Sequence, residues 1–194
     1  MKKVWLIILS FGLFSGCTTV AFLRPQPNDA KDLDSFPKEL QGKYLFCLEE
    51  KQADSNCVIV QLTDKQLQFL PLDSSQMSTI QATGADEINL SDKQHYVLRQ
   101  DKRGYYLSVL SDDNERQVWE VFAIRKKGAN IVLSVILISR NNAPKRAIRK
   151  VMESSQVIAL SDSSNIVLDP SSKQFAKLVK KGFFNSRMEL KQMP

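Results

Sequence analysis

Between Tyr44 and Leu168 the chain consists of short stretches in which apolar side chains recur at every second position, separated by polar turns. A period of two puts alternate side chains on opposite faces of an extended strand, whereas a helix needs a recurrence near 3.6. No other feature limits the fold as strongly. Tyr44, Phe46 and Leu48 alternate with Leu45 and Cys47 in a strand running up to Glu49, and Val58, Val60 and Leu62 form the next. Thr63-Asp64-Lys65 turns the chain into a third, with Leu67 and Phe69 on one face. Asp73 to Gly84 is polar, with a short strand expected around Ile80.

The clearest segments follow. His95 to Leu110 and Val121 to Ile136 align without gaps at an offset of 26, so that Tyr96 falls on Phe122, Leu98 on Ile124, Arg99 on Arg125 and Leu107 on Leu133. Each reads as a hairpin, turning at Asp101-Lys102-Arg103-Gly104 and at Lys126-Lys127-Gly128-Ala129-Asn130. Two copies are too few for a propeller, and any two hairpins with basic turns share much of this likeness. Asn141-Asn142-Ala143-Pro144 interrupts the strands, and the span 145–153 fits a short helix or a further strand equally well. Val157 to Leu160 and Asn165 to Leu168 form one more hairpin around Ser161-Asp162-Ser163-Ser164. Asp169 then caps a helix begun by Pro170, with Phe175, Leu178, Val179 and Phe183 on its apolar stripe and Lys173, Lys177, Lys180 and Lys181 around the rest. The expected fold is all-β, an antiparallel meander closing as a barrel or strongly curled sheet, with one C-terminal helix. Closure of this kind removes exposed strand edges.

The flanks differ. Residues 17–35 hold Pro25, Pro27, Asn28, Asp29, Asp32 and Asp34 without a sustained apolar period, which reads as a flexible tether able to reach about 60 Å. A single β-domain with its helix is expected over 36–184 and a polar tail over 185–194.

Before the tether stands a short apolar run. Lys2 and Lys3 precede Val4 to Phe14, an 11-residue stretch containing Ser10, and Phe14-Ser15-Gly16-Cys17 closes it. A membrane-spanning helix needs about 20 residues, so the run is too short to cross a bilayer. The layout is that of a secretory signal, and its ending resembles the lipobox of bacterial lipoproteins, with Phe14 where Leu is usual. The resemblance implies a signal peptide over 1–16, cleavage before Cys17 and acylation of that cysteine. Two or three acyl chains hold a protein persistently where one does not, at about 0.8 kcal/mol per buried CH₂. Thr18 follows where inner-membrane lipoproteins of enterobacterial type carry Asp, and no acidic cluster follows the cysteine. Both imply an outer-membrane anchor facing the periplasm. In the body, Gly42-Lys43-Tyr44 opening the first strand, the C-terminal helix and the size resemble the lipocalin or calycin pattern, with Tyr44 where lipocalins carry Trp.

Once Cys17 is lipidated, Cys47 and Cys57 remain, and in an oxidising compartment they most simply form one disulfide closing a hairpin around Glu49 to Asn56. Loss of Lys2 and Lys3 leaves 25 basic against 21 acidic residues, a formal +4 that suits anionic lipid headgroups. Nucleic acid is the wrong partner in the envelope.

Catalytic motifs are scarce. His95 is the only histidine, so a histidine-rich metal site is excluded, and no Gly-rich phosphate loop, H-E-x-x-H or G-x-S-x-G occurs. We therefore expect no catalytic residue, no metal and no cofactor. A carboxylate hydrolase remains the alternative, with Glu120 in its apolar strand the residue to watch, although an alternating strand also places such a residue in solvent. Tyr96, Tyr105, Tyr106 and Trp119, with Phe122, concentrate aromatic rings in the central hairpins. They fit either a core or a face for contacting a ligand or partner. The basic groups at Lys102-Arg103, Arg125-Lys126-Lys127, Lys145-Arg146, Arg149-Lys150 and the helix are either solvated turns or a cationic rim directed at lipid. The function expected is a non-enzymatic, lipid-anchored envelope protein that binds a hydrophobic ligand, a glycan or an envelope protein. A purely structural lipoprotein is the remaining alternative.

Overall fold

The computed structural model describes residues 18–47, 57–72, 87–113, 116–138, 148, 150–152, 157–159 and 166–194. The run ending at Cys17, the loop 48–56, the expected strand around Ile80 and the turn 161–164 lie outside the described residues. In chain order the first strands are β1 (Thr18–Phe22), β2 (Asp32–Leu33), β3 (Gly42–Cys47), β4 (Cys57–Leu62), β5 (Gln66–Pro71), β6 (Glu87–Asn89) and β7 (Tyr96–Asp101). They are followed by β8 (Gly104–Asp113), β9 (Arg116–Lys127), β10 (Asn130–Val135), β11 (Leu137–Ile138), β12 (Val157–Ala159), β13 (Ile166–Leu168), helix α1 (Ser172–Lys180) and β14 (Ser186–Gln192). The described strands form one strongly curled sheet, a half-barrel, antiparallel except where β1 meets β13.

Two meanders make up most of it. Strands β3 to β6 pair consecutively, and so do β7 to β10. The likeness at an offset of 26 extends to register: Tyr96 pairs with Val109 and Asp101 with Gly104, while Leu133 pairs with Ile124 and Asn130 with Lys127. Both hairpins therefore turn over two residues. Gly104 is needed there, because its φ of 149° suits glycine and a Cβ would lie 3.0 Å from the Ile124 carbonyl oxygen.

The meanders are joined by the segment expected as a polar tail. Strand β14 pairs with β10 from Val135–Ser186 to Ile131–Leu190 and with β3 at Tyr44–Gln192. Its sequence carries the period of two, since Ser186, Met188 and Leu190 alternate with Arg187, Glu189 and Lys191, and Leu190 is buried. On the other side Leu33 pairs with Leu98 of β7, the Phe36 N–H donates to the Asp64 carbonyl in the β4–β5 turn, and the Leu90 N–H donates to Lys65. The chain from β2 to Phe36 thus straps the two ends of the curl together.

The expected tether is also corrected. Thr18–Phe22 is an inner strand that pairs with β9 at Ala21–Glu120 and Phe22–Trp119, with β11 at Thr18–Ile138 and Thr19–Leu137, and in parallel with β13 at Val20–Ile166. Val20, Ala21 and Phe22 are all buried, and a strand covered on both faces shows no polar alternation. Residues 24–31, polar and proline-containing as they are, form a pinned loop. Arg24 makes a forked pair with Asp169 at 2.7 and 2.9 Å, and the Asp29 N–H donates to Ser172 Oγ. With Asp169 engaged by Arg24, the helix is capped by Ser171, which accepts from the Gln174 N–H while the Gln174 side chain accepts from the Ser171 N–H. In the span whose state was open, the Ile148 carbonyl accepts from both Val151 and Met152, a helical turn.

Two cores result. The concave face is filled by Phe36, Leu40, Tyr44, Val60, Leu90, Leu98, Ile124 and Ile131, none more than 1% exposed. Behind the sheet, α1 lays Phe175, Leu178 and Val179 on Val20, Phe22, Tyr106, Val121, Ile136 and Leu168. Strands β8 and β9 contribute to both, with Leu107 and Ile124 inside and Tyr106 and Val121 behind.

Candidate contact surfaces

The four aromatic residues that fitted either a core or a contact face are distributed between the two main cores. Tyr96 is buried in the concave core and Tyr106 in the one behind the sheet, where its ring stands edge-on to Phe175 at 5.1 Å. Neighbouring strand positions point to opposite faces, so Tyr105 and Tyr106 were bound to separate. Trp119 packs half-buried behind the sheet and Tyr105 half-buried on the concave side.

Tyr105 nevertheless belongs to a polar cluster at the barrel rim. Its hydroxyl donates to Glu39 Oε1 at 2.8 Å, and the Lys126 ammonium donates to the Glu39 carbonyl. Burial, then the hydrogen bond and charge of Glu39, push the Tyr105 phenol up to about 12. Close by, Asp101 Oδ1 accepts from the Arg103 N–H at 2.7 Å and from the Tyr106 hydroxyl at 3.2 Å, while Arg103 pairs with Asp101 Oδ2. Burial first, and then Asp101, raise the Tyr106 phenol as well. The carboxylates here organise a turn beside exposed Lys102, Arg125, Lys126 and Lys127.

Arg99 is the residue whose role the sequence least disclosed. Its guanidinium, 14% exposed, donates to Asp32 Oδ1 at 2.7 Å and to the carbonyls of Pro25, Pro27 and Asn28 at 2.7 to 3.3 Å. The Gln26 N–H donates to Ser108 Oγ, and both Gln26 and Ser108 are wholly buried. Together these hold the loop after β1 against β7 and β8. Arg125, its counterpart in the repeat, is exposed. The signal available was an arginine on the strand face carrying Tyr106 and Ser108.

The catalytic candidates gain no geometry. Glu120 is half-buried, and neither of its in-register neighbours, Ala21 on β1 and Val109 on β8, is a carboxylate. His95 is exposed, and its Nδ1 lies 2.9 Å from Asp92 Oδ2, an interaction that holds the Asp92 carboxyl below its usual range. Among the described residues no group of three or more His, Cys, Asp or Glu side chains is placed to hold a metal ion. No described helix is long and apolar enough to cross a membrane. Cys47 and Cys57, an in-register pair at the end of β3 and the start of β4, form the disulfide, with their Cα atoms 4.0 Å apart.

One stretch is rich in exposed basic groups. From Pro170 to Met188 there are five basic residues, Lys173, Lys177, Lys180, Lys181 and Arg187, all exposed, and no acidic one. On α1 the lysines occupy the side opposite Phe175, Leu178 and Val179. Set against family models, curated proteins and solved structures, the chain matches none of them, and its functional reading rests on these residues.

Proposed function

We propose that the chain is a lipoprotein, acylated at Cys17 and anchored in the outer membrane on its periplasmic side, that acts without catalysis by binding an envelope partner through its surface. The observation carrying this reading is the position of β1. The described residues of β1, Thr18–Phe22, directly follow the lipobox cysteine, so cleavage before Cys17 would keep all of them in the mature chain. The disulfide supports an oxidising compartment, and the excess of basic residues supports a surface close to anionic lipid. A hydrophobic ligand held inside the sheet, as the lipocalin resemblance implies, has less support. Phe36, Leu40, Tyr44, Leu90, Leu98, Ile124 and Ile131 on the concave face are no more than 1% exposed, which leaves the open area on that side to half-buried residues such as Phe46, Phe69, Tyr105 and Phe122.

The test is metabolic labelling with palmitate, followed by separation of the membranes on a density gradient. The wild-type chain is expected to carry label and sediment with the outer membrane, and Cys17→Ala to lose both. Label retained by Cys17→Ala, or wild-type chain free of lipid in the soluble fraction, overturns the reading.

A further inference from the structure

If Cys17 carries lipid, the body has almost no freedom above the membrane. Adjacent Cα atoms are 3.8 Å apart, and Thr18 is already paired with Ile138 in the sheet. The leaflet must therefore lie against whatever surface surrounds the start of β1.

That surface can be identified from the contacts. Helix α1 runs alongside β1 in the opposite sense. Its N-terminal end meets the segment following β1, through Ser172 with Asp29 and Asp169 with Arg24. Its C-terminal end leads to Asn185, whose side chain accepts from the Leu137 N–H at 3.0 Å and donates to the Leu137 carbonyl at 2.9 Å, while Leu137 pairs with Thr19. The lengths agree, since five residues of strand and nine of helix each span about 13 Å. Lys180 and Lys181 at the helix end, and Arg187 two residues past Asn185, are consequently on the anchor side, with Lys177 one turn back. No acidic residue lies between Pro170 and Met188 in the sequence. The 170–188 segment carries +5, and the acids that flank it are engaged elsewhere, Asp169 by Arg24 and Glu189 by Asn130 and Lys127.

We propose that Lys177, Lys180, Lys181 and Arg187 form a seat for the phosphate groups of anionic phospholipids, which presses the α1 side of the body onto the leaflet holding the Cys17 anchor. This rests on the lipidation reading. Lysine and arginine meet headgroup phosphates at little desolvation cost because they remain at the wet interface, and several acting together give orientation that the acyl chains alone do not.

The experiment uses the mature lipidated protein in vesicles of phosphatidylcholine alone and of phosphatidylcholine with about one third phosphatidylglycerol. A membrane-impermeant amine reagent reports the reactivity of each lysine, with Lys43 and Lys65, on the other meander, as internal references. Lys177, Lys180 and Lys181 are expected to react about fivefold more slowly in the anionic vesicles, the scale for one basic group near such a surface, and to recover at high salt. The Lys180→Gln/Lys181→Gln variant should lose the protection remaining at Lys177 while keeping its palmitate and its unfolding midpoint, and Lys43→Gln/Lys65→Gln should leave that protection unchanged. Equal reactivity in both vesicles, or equal loss in both variants, overturns the seat. Absence of palmitate on the wild-type chain instead overturns the anchor on which it depends.

Discussion

Phe22→Ala separates a tethered domain from one whose first residues are built into the sheet. Phe22 has no exposed surface, its ring is edge-on to Phe175 at 5.9 Å, and its backbone pairs with both Trp119 and Leu168. Truncating a buried Phe costs about 3 to 5 kcal/mol through lost transfer energy and the cavity left behind. The Phe175 contact places this site near the middle or above, about 4 kcal/mol, because an edge-on aromatic pair adds about 0.5 to 1.5 beyond its area. In a flexible tether the same substitution would stay within about 0.5 kcal/mol. For a domain of this size about 4 kcal/mol lowers Tm by roughly 8 to 16 °C, a large part of the total stability. Urea unfolding of the mature protein in mild non-ionic detergent, followed through the fluorescence of Trp119, measures the change directly. A loss under about 1 kcal/mol with an unchanged slope would refute the inclusion of β1 in the cooperative fold.

Three further outcomes follow from single features. Replacing Cys47 and Cys57 together by Ala should cost about 2 to 3 kcal/mol in the same assay, the loop-entropy value for a ten-residue separation, and a change below about 0.5 would mean that the β3–β4 pairing already restrains the unfolded chain. Arg99→Ala should cost about 2 to 3 kcal/mol and open the 24–31 loop to proteolysis, whereas Arg125→Ala, exposed at the equivalent repeat position, should change neither; equal effects would sink the clamp. An unfolded tyrosine ionises near pH 10 and Tyr105 near 12, so the unfolded state sheds that proton first and the contribution, intact below pH 10, is lost as pH rises toward 12. Glu39→Gln should bring Tyr105 ionisation to lower pH in an ultraviolet titration, with burial keeping it above 10. An unchanged titration would show that Glu39 has no part in it.

The parts legible in sequence were those whose strands have one wet face. The central hairpins, their turns and even their shared register could be read because Leu98, Leu107, Ile124 and Leu133 alternate with polar neighbours. Strand β1 could not, since Val20, Ala21 and Phe22 are buried on both sides and the prolines just beyond them resemble a linker. Strand β14 did alternate, through Met188 and Leu190, but so many charges intervene that composition masked the period. Of the two readings open for the aromatic residues the structure shows the core, and it divides them for a geometric reason: adjacent Tyr105 and Tyr106 lie on opposite faces of a sheet. The cysteine pair could be read because two partners in one compartment leave a single connection. Arg99 was hidden because its acceptors are mainly backbone carbonyls, which leave no pattern among side chains.

The two ends of the described chain matter mechanically. β14 is the strand through which β10 and β3 are linked, and β1 is held at once by β9, β11 and β13. A force applied at Thr18 is therefore borne by strands of the α1 core rather than by a loop. On the proposed anchoring, this exchanges reach for orientation: a body joined by a long tether samples many poses above the membrane, whereas one locked at its first residue presents the same surface to any partner. Inserting a flexible, uncharged spacer of a dozen residues between Cys17 and Thr18 should leave acylation and unfolding midpoint unchanged. It should also loosen the body, so that the protection of Lys177, Lys180 and Lys181 in anionic vesicles weakens. Protection undiminished by that insertion would show that the basic surface holds the leaflet by itself, and that the short connection to the lipid contributes nothing to orientation.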